Sequence, residues 1–299
     1  MQLLSQSYSA GAAEWLSSNK SAHVFSSFER ACNLIDDEGR FIAIVHNTIG
    51  NGPFAMVLEE LPLSLEQMLS VGAPVVVDKN SLTVNTTTID FSGAILWSAR
   101  LDWDYPKDCP HQFQKNIGDL YLTVQNNASG GSLSSILHST RDNMGYVSAR
   151  VTDSAQQLYS GIVSGDMQKI YLGAANMAGL GVGLTPSGDD FLMGVMYALW
   201  AIFDQKDAAR WSRKIAEATS SRTNMLSGAM LQESANGYAS EHWHVLVDVL
   251  CKENVTDVTR ACMEILSLGH TSGADALTGF LLSIDCLSDH GVWLRSPIL

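Results

Sequence analysis

Apolar residues along the chain keep two different rhythms, and the change from one to the other falls just after residue 104. Before it, short β-suited runs alternate with turn formers. Phe41-Ile-Ala-Ile-Val-His46 and Phe54-Ala-Met-Val-Leu58 flank Asn47-Thr-Ile-Gly-Asn-Gly-Pro53, which predicts a hairpin or a wider loop. Val75-Val-Val77 and Leu82-Thr-Val84 flank Asp78-Lys-Asn-Ser81 in the same way, and Ile89 to Trp97 forms another strand candidate around Gly93. Beyond Pro106 the spacing turns helical: Phe113, Ile117, Leu120, Tyr121 and Val124 make one stripe. Phe191, Leu192, Val195, Met196, Leu199, Trp200 and Phe203 make a wide apolar face, and Val258, Cys262, Ile265 and Leu266 a narrower one. Both faces read as core packing. The expectation is an α+β protein, with a β-rich N-terminal domain over residues 1–104 and a larger, mainly helical domain over 105–299.

Charge narrows the partners. The 299 residues include 18 Lys and Arg against 31 Asp and Glu, a net charge of −13, with no basic run to interrupt it. Nucleic acid and anionic membrane surfaces are poor partners for such a chain. Charged residues make up only 16%, against a typical share of about 25%. Contacts with other subunits, or between copies in a homo-oligomer, are one reading of that deficit. The longest nearly apolar run, Phe191 to Phe203, falls short of the ~20 residues a bilayer requires. The start of the sequence has no basic segment leading into an apolar one, so no secretory signal is expected. The five cysteines form no CxxC pair, which points away from a disulfide framework or thiolate zinc and toward buried thiols in a reducing cytoplasm.

The most informative stretch is Gly179-Leu-Gly-Val-Gly-Leu-Thr-Pro-Ser-Gly-Asp-Asp-Phe-Leu-Met-Gly194. Its glycines permit tight turns, Pro186 sets φ just before a helix, and Ser187 or Asp189 is placed to cap it. Amides at a helix N-terminus make an anion cradle, here formed by Gly181, Gly183, Thr185, Ser187 and Gly188. The adjacent Asp189 and Asp190 either satisfy the helix dipole or act on a bound substrate as base or metal ligand.

A second segment aligns with the first without gaps. Ser187-Gly-Asp-Asp-Phe-Leu-Met-Gly194 matches Ser272-Gly-Ala-Asp-Ala-Leu-Thr-Gly279 at Ser, Gly, Asp, Leu and Gly, with Thr185 and Thr271 close before each. Two loop-to-helix turns, each placing one aspartate (Asp190, Asp275) in the first helical turn, read as related elements converging on one ligand. The plainer reading makes both good N-caps with glycines for close packing. Thr271, Ser272 and Gly273 then join the binding residues, and His270 beside them is a candidate acid, base or anion donor. Arg222, in the small-residue stretch Ser221 to Gly237, is the basic group best placed to serve an anion. Glu233 and Glu241 face either site or water. In the first domain Asn51, in Asn51-Gly-Pro53, is a ligand contact or simple turn chemistry. There is no HExxH, GxSxG or Walker loop, and Gly181-Val-Gly183 lacks a βαβ frame.

Taken together, the Gly179 to Gly194 signature, the Thr223 to Glu241 pattern, the Gly269 to Gly279 turn and Asn51-Gly-Pro53 resemble the bacterial family of AllH-type subunits of oxamate carbamoyltransferase. The resemblance runs in order along most of the chain. It implies exchange of a carbamoyl group between oxalurate plus phosphate and oxamate plus carbamoyl phosphate, in allantoin degradation and purine catabolism. It also implies carbamoyltransferase partner subunits. Such chemistry needs a phosphate cradle, a proton for the leaving nitrogen and neutralisation of a tetrahedral oxyanion. The glycine-loop amides and Arg222 are suited to the anions. Asp190, Asp275 or His270 is suited to move protons, and Mg²⁺ held by the two aspartates is an alternative. A non-catalytic subunit that binds a small anion within a multi-subunit complex is the rival reading.

Overall fold

The computed structural model describes residues 1–18, 21–138 and 143–288, and they divide into two units. The first comprises Met1–Arg100 together with Ala239–Glu241, and the second Leu101–Tyr238 with the chain from His242 onward. The architecture is α+β, a β-barrel followed by a helical domain.

Nine strands build the first unit: β1 (Gln2–Ser9), β2 (Ala22–Ser27), β3 (Ala31–Asp36), β4 (Phe41–His46), β5 (Ala55–Leu58), β6 (Pro74–Val77), β7 (Ser81–Val84), β8 (Thr87–Asp90) and β9 (Ile95–Trp97). Their order is β5-β4-β3-β2-β6-β7-β8-β1-β9, and a further pairing of β1 with β5 closes the sheet. Closure works because β1 is shared. Gln2 to Leu4 pair in parallel with β8, Ser7 to Ser9 pair in parallel with β9, and the opposite edge of β1 runs antiparallel to β5. The expected strand around Gly93 is thus two strands broken by the Ser92-Gly93 turn, each using a different half of β1.

Alternate residues point inward, as the two-residue period of a strand requires. Leu3, Val24, Leu34, Ile42, Ile44, Met56, Leu82, Val84 and Ile89 form the core with α1 (Ala10–Leu16) and α2 (Leu65–Met68). The Val75 and Leu82 runs form the expected antiparallel hairpin. The Phe41 and Phe54 runs do not: β4 and β5 pair in parallel, so the wider loop of the two expectations holds there. Successive tight turns, from Ile49 N–H to His46 O, Gly50 N–H to Asn47 O and Ala55 N–H to Gly52 O, carry the chain back to the start of β4.

Among the described residues the second unit contains α3 (Tyr105–Asp108), α4 (Pro110–Asn127), a 3₁₀ turn (Leu133–Leu137), α5 (Tyr146–Ser164), α6 (Met167–Met177), α7 (Ser187–Ile202), α8 (Gln205–Thr219), α9 (Met225–Ala235), α10 (Glu241–Leu250, from His242), α11 (Val255–Leu266) and α12 (Ser272–Leu287). The apolar face predicted for 191–203 proves too narrow, since every residue of α7 except Ser187 and Met193 is buried. A helix apolar all round belongs in the centre of its unit. Its neighbours there include an aromatic chain in which Tyr197 stacks on Trp103 at 5.5 Å, Trp243 meets Tyr197 at 4.7 Å and Phe280 meets Trp243 at 5.3 Å between ring centroids.

The cysteines depart from expectation in part. Cys32, Cys251 and Cys262 are buried, but Cys109 is half-buried and Cys286 exposed, because Cys286 lies on the outward side of the last turn of α12, beside exposed Asp285.

Candidate functional site

The chain between α6 and α7 is anchored at both ends and free in the middle. Gly179 N–H donates to Asp189 Oδ1 at 2.9 Å, and the Thr223 hydroxyl donates to Asp189 Oδ2. Gly188 N–H donates to Leu180 O at 2.8 Å, and Asn224 Nδ2 to Leu184 O at 2.8 Å. Gly181 stands at φ 121°, where a Cβ would come within 2.6 Å of Ser187 N, so only glycine fits that turn. Between these ties Gly181, Val182 and Gly183 are exposed. The amides of Gly181 to Thr185 donate to no protein group among the described residues. Consecutive free amides at the start of a helix are an anion-binding arrangement.

The repeat seen in the sequence is realised as an exchange across two helices. α7 and α12 run side by side in the same direction. A Cβ on Gly194 would meet Ala276 O at 1.9 Å, and one on Gly279 would meet Phe191 O at 2.1 Å. Each helix thus offers a glycine where the other offers backbone. The preceding helices repeat the device: Gly188 lies on Met177 O of α6 at 2.1 Å from its would-be Cβ, and Gly273 on Ile265 O of α11 at 1.8 Å. At the N-terminal ends the polar side chains are exchanged too. The Ser187 hydroxyl of α7 lies near Asp275 of α12 and favours its charged form, whereas the Ser272 hydroxyl of α12 does the same for Asp190 of α7. Thr185 Oγ1 and Ser272 Oγ are 2.8 Å apart.

This exchange corrects the capping expectation. Neither α7 nor α12 has a side-chain N-cap; Pro186 and Thr271 occupy the cap positions without such a bond. Ser187 and Asp189 fall inside the first turn, so their side chains reach sideways, to Asp275 and to the anchored loop respectively.

All three carboxyls are buried, and each is pushed above the usual carboxylate range chiefly by desolvation. Asp189 is drawn back down by Thr223 and Gly179, which donate to it, and by the nearby Ser227 hydroxyl. Asp190 is raised well above the range, first by its deep burial and then by the negative charges of Asp275 and Asp189, with the Ser272 and Thr185 hydroxyls pulling back. Asp275 Oδ1 accepts from Leu133 N–H at 2.6 Å, and the nearby Thr271 hydroxyl also favours the charged form of this carboxyl. The second oxygens, Asp190 Oδ2 and Asp275 Oδ2, are buried with no hydrogen-bond partner. No Lys, Arg or His is ion-paired with any of the three among the described residues.

The remaining candidates sit differently. His270 is exposed, and its carbonyl accepts from Ser129 Oγ at 2.8 Å. Arg222 is exposed, with its carbonyl oxygen packed against Gly179. Asn51 belongs to the first unit and its side chain is committed there: Oδ1 accepts from Ser7 Oγ at 2.7 Å, while N and Nδ2 both donate to Glu241 Oε2, at 2.8 and 2.9 Å. Glu241 is thereby turned to a structural task. Sequence reasoning missed Leu133, Thr223 and Ser227 as partners of the aspartates. Gly130-Gly131 just before Leu133 was a visible break in the helices, but nothing local links it to Asp275.

Comparison with known families matches residues 177–284 to a model described as oxamate carbamoyltransferase subunit AllH, and residues 4–96 to one described as the AllH family N-terminal domain. The first match spans both aspartate-bearing turns. Together the two cover well over half of the chain. No solved structure matches it.

Proposed function

Since this chain belongs to the AllH family, we propose that it serves as a carbamoyltransferase subunit whose working corner is the shared N-terminal end of α7 and α12. The observation that carries the reading is the reciprocal pair of buried aspartates beside a run of free amides. Helices that only needed to pack would not require two facing carboxyls with no cation between them, because burying like charges is costly.

In the proposed reaction a phosphate oxygen attacks the ureido carbonyl carbon of oxalurate. The bond from that carbon to the oxamate nitrogen breaks, and the nitrogen leaves with a proton. Carbamoyl phosphate and oxamate result. The amides from Gly181 to Thr185, with that of Ser187 at the helix start, supply dipoles for the phosphate and the developing oxyanion, while Gly188 and Gly273, whose amides bond Leu180 O and Leu268 O, let the backbone pack closely there. Arg222 is the exposed cation next to that loop. Asp190 or Asp275, raised by burial, keeps a proton to higher pH than an exposed aspartate and is suited to give it to the leaving nitrogen. His270 at the rim is the second candidate for that transfer. Thr185, Thr271 and Ser272 orient the carboxyls. Asp189, bonded to Gly179 and Thr223, shapes the loop rather than touching substrate.

Burial favours one other reading. Asp190 Oδ2 and Asp275 Oδ2 lie below the surface, so a substrate reaches them only if the loop or a partner subunit opens the corner. A subunit that binds a small anion on its loop amides and completes an assembly needs no such opening. Measuring carbamoyl phosphate formed from oxalurate and phosphate, with this chain alone and with its partner subunits, separates the two. Activity of the assembly that is lost in Asp190→Asn and Asp275→Asn supports catalysis here. Full activity in both variants assigns the chemistry to another chain.

A further inference from the structure

We propose that Asp190 and Asp275, with the hydroxyls of Ser187, Ser272 and Thr185, hold one hard divalent cation, of the Mg²⁺ or Mn²⁺ kind, between the N-termini of α7 and α12. The inference rests on the reading of this corner as the working end of the chain and names what balances its charge. Three observations support it. First, Asp190 Oδ2 and Asp275 Oδ2 are each buried and without a partner, in residues only 6% and 0% exposed. A buried carboxylate oxygen left unpaired costs free energy that a ligand recovers. Second, the polar side chains gathered around the pair offer oxygen alone, from carboxyl and hydroxyl groups, with no imidazole or thiol among the residues bonded to them. That donor set selects hard cations.

Third, the charge is unbalanced. Two helix N-termini contribute roughly half a positive charge each, while Asp189, Asp190 and Asp275 bring three carboxyls with no basic side chain ion-paired to them among the described residues. With the three carboxyls ionised, a divalent ion closes that gap. No group of three or more His, Cys, Asp or Glu forms a ligand set among the described residues. The ion would therefore take the two carboxyls and fill its remaining positions with hydroxyls, water or substrate oxygens, as Mg²⁺ commonly does. The free amides of Gly181 to Thr185 then lie on the same loop as Thr185, where an anion bound by them would share the ion.

The test uses the full-length chain and Mn²⁺ alone, titrated while free Mn²⁺ is followed by electron paramagnetic resonance, with Mg²⁺ as competitor. The expected result is one Mn²⁺ per chain, displaced by Mg²⁺, and no binding at that site in Asp190→Asn or Asp275→Asn. Ser272→Ala, which leaves both carboxyls in place, should weaken binding about 10–100-fold, the usual effect of removing a group that orients a ligand. It also keeps the test decisive if an aspartate variant fails to fold. No bound Mn²⁺ at millimolar concentration, or binding unchanged in Ser272→Ala and in either aspartate variant that folds, overturns the inference and leaves a shared proton as the balancing charge. An ion-binding chain whose full assembly forms no carbamoyl phosphate overturns the reaction while sparing the site. An active assembly without a bound ion does the reverse.

Discussion

Replacing Gly194 with alanine tests whether the crossing of α7 and α12 positions the site. The added Cβ would stand 1.9 Å from Ala276 O, a backbone atom in the second turn of α12. Contacts below about 3.0 Å are essentially never tolerated, so the helices must part by about 1 Å at their closest point, and neither side can rotate a side chain out of the way. Gly118 provides the control. It lies in the interior of α4, is exposed, and has nothing within 4 Å of a would-be Cβ. Both substitutions gain the same helix-propensity term, about 1 kcal/mol over glycine. Their difference therefore isolates the clash, and a backbone contact belongs at the upper end of the 1–3 kcal/mol typical of overpacking, about 3 kcal/mol.

At about 2–4 °C per kcal/mol for a unit of this size, Gly194→Ala should melt about 6–12 °C below Gly118→Ala. Helical circular dichroism is the signal to follow, because a chain of two units need not unfold in one step. Gly279→Ala, the exchanged partner, should behave alike. The double variant should cost less than the sum, since one separation of the helices relieves both clashes. A melting temperature of Gly194→Ala equal to or above that of Gly118→Ala would refute the crossing.

Three further outcomes follow from the same corner. Asp190→Asn and Asp275→Asn should each lower phosphate-dependent turnover of the complete assembly by about 10²–10⁴-fold, read as carbamoyl phosphate formed, with the helical spectrum unchanged. Because Asp190 binds its proton more tightly folded than unfolded, the folded chain holds the extra proton between the unfolded value near 4 and the raised folded value, so stability falls as pH rises through that window. Each pH unit there costs about 1.4 kcal/mol, and urea unfolding across pH should show this slope reduced in Asp190→Asn relative to wild type. Finally, Thr223→Val removes a hydroxyl donor from buried Asp189 and should cost about 1–3 kcal/mol, with faster proteolytic cleavage between Gly181 and Leu184 than in wild type.

Local pattern determined more of the fold than of the site. The helical spacing of Phe191 to Phe203 marks α7 within a few residues, and β-branched runs between turn formers mark most of the barrel strands, because both signals lie within one element. The repeat of Ser-Gly-x-Asp with a distal glycine likewise showed two related helix starts. Closure of the barrel was not legible, since β8 and β9 each claim half of β1 through hydrogen bonds between backbones that carry no residue code. The parallel pairing of β4 with β5 was hidden for the same reason.

At the site, the sequence supplied the aspartates and the glycines, but its reading of Ser187 as a cap does not hold. A serine at the start of a helix looks like a cap. It becomes the partner of the opposite helix's carboxyl only when Gly194 and Gly279 let the two backbones touch, and that depends on the crossing angle of elements some 80 residues apart. Burial of Asp190 and Asp275, and hence their raised affinity for a proton or a cation, belongs wholly to the tertiary structure. Desolvation is a property of what surrounds a group in space, and neither residue's neighbours in the chain determine it.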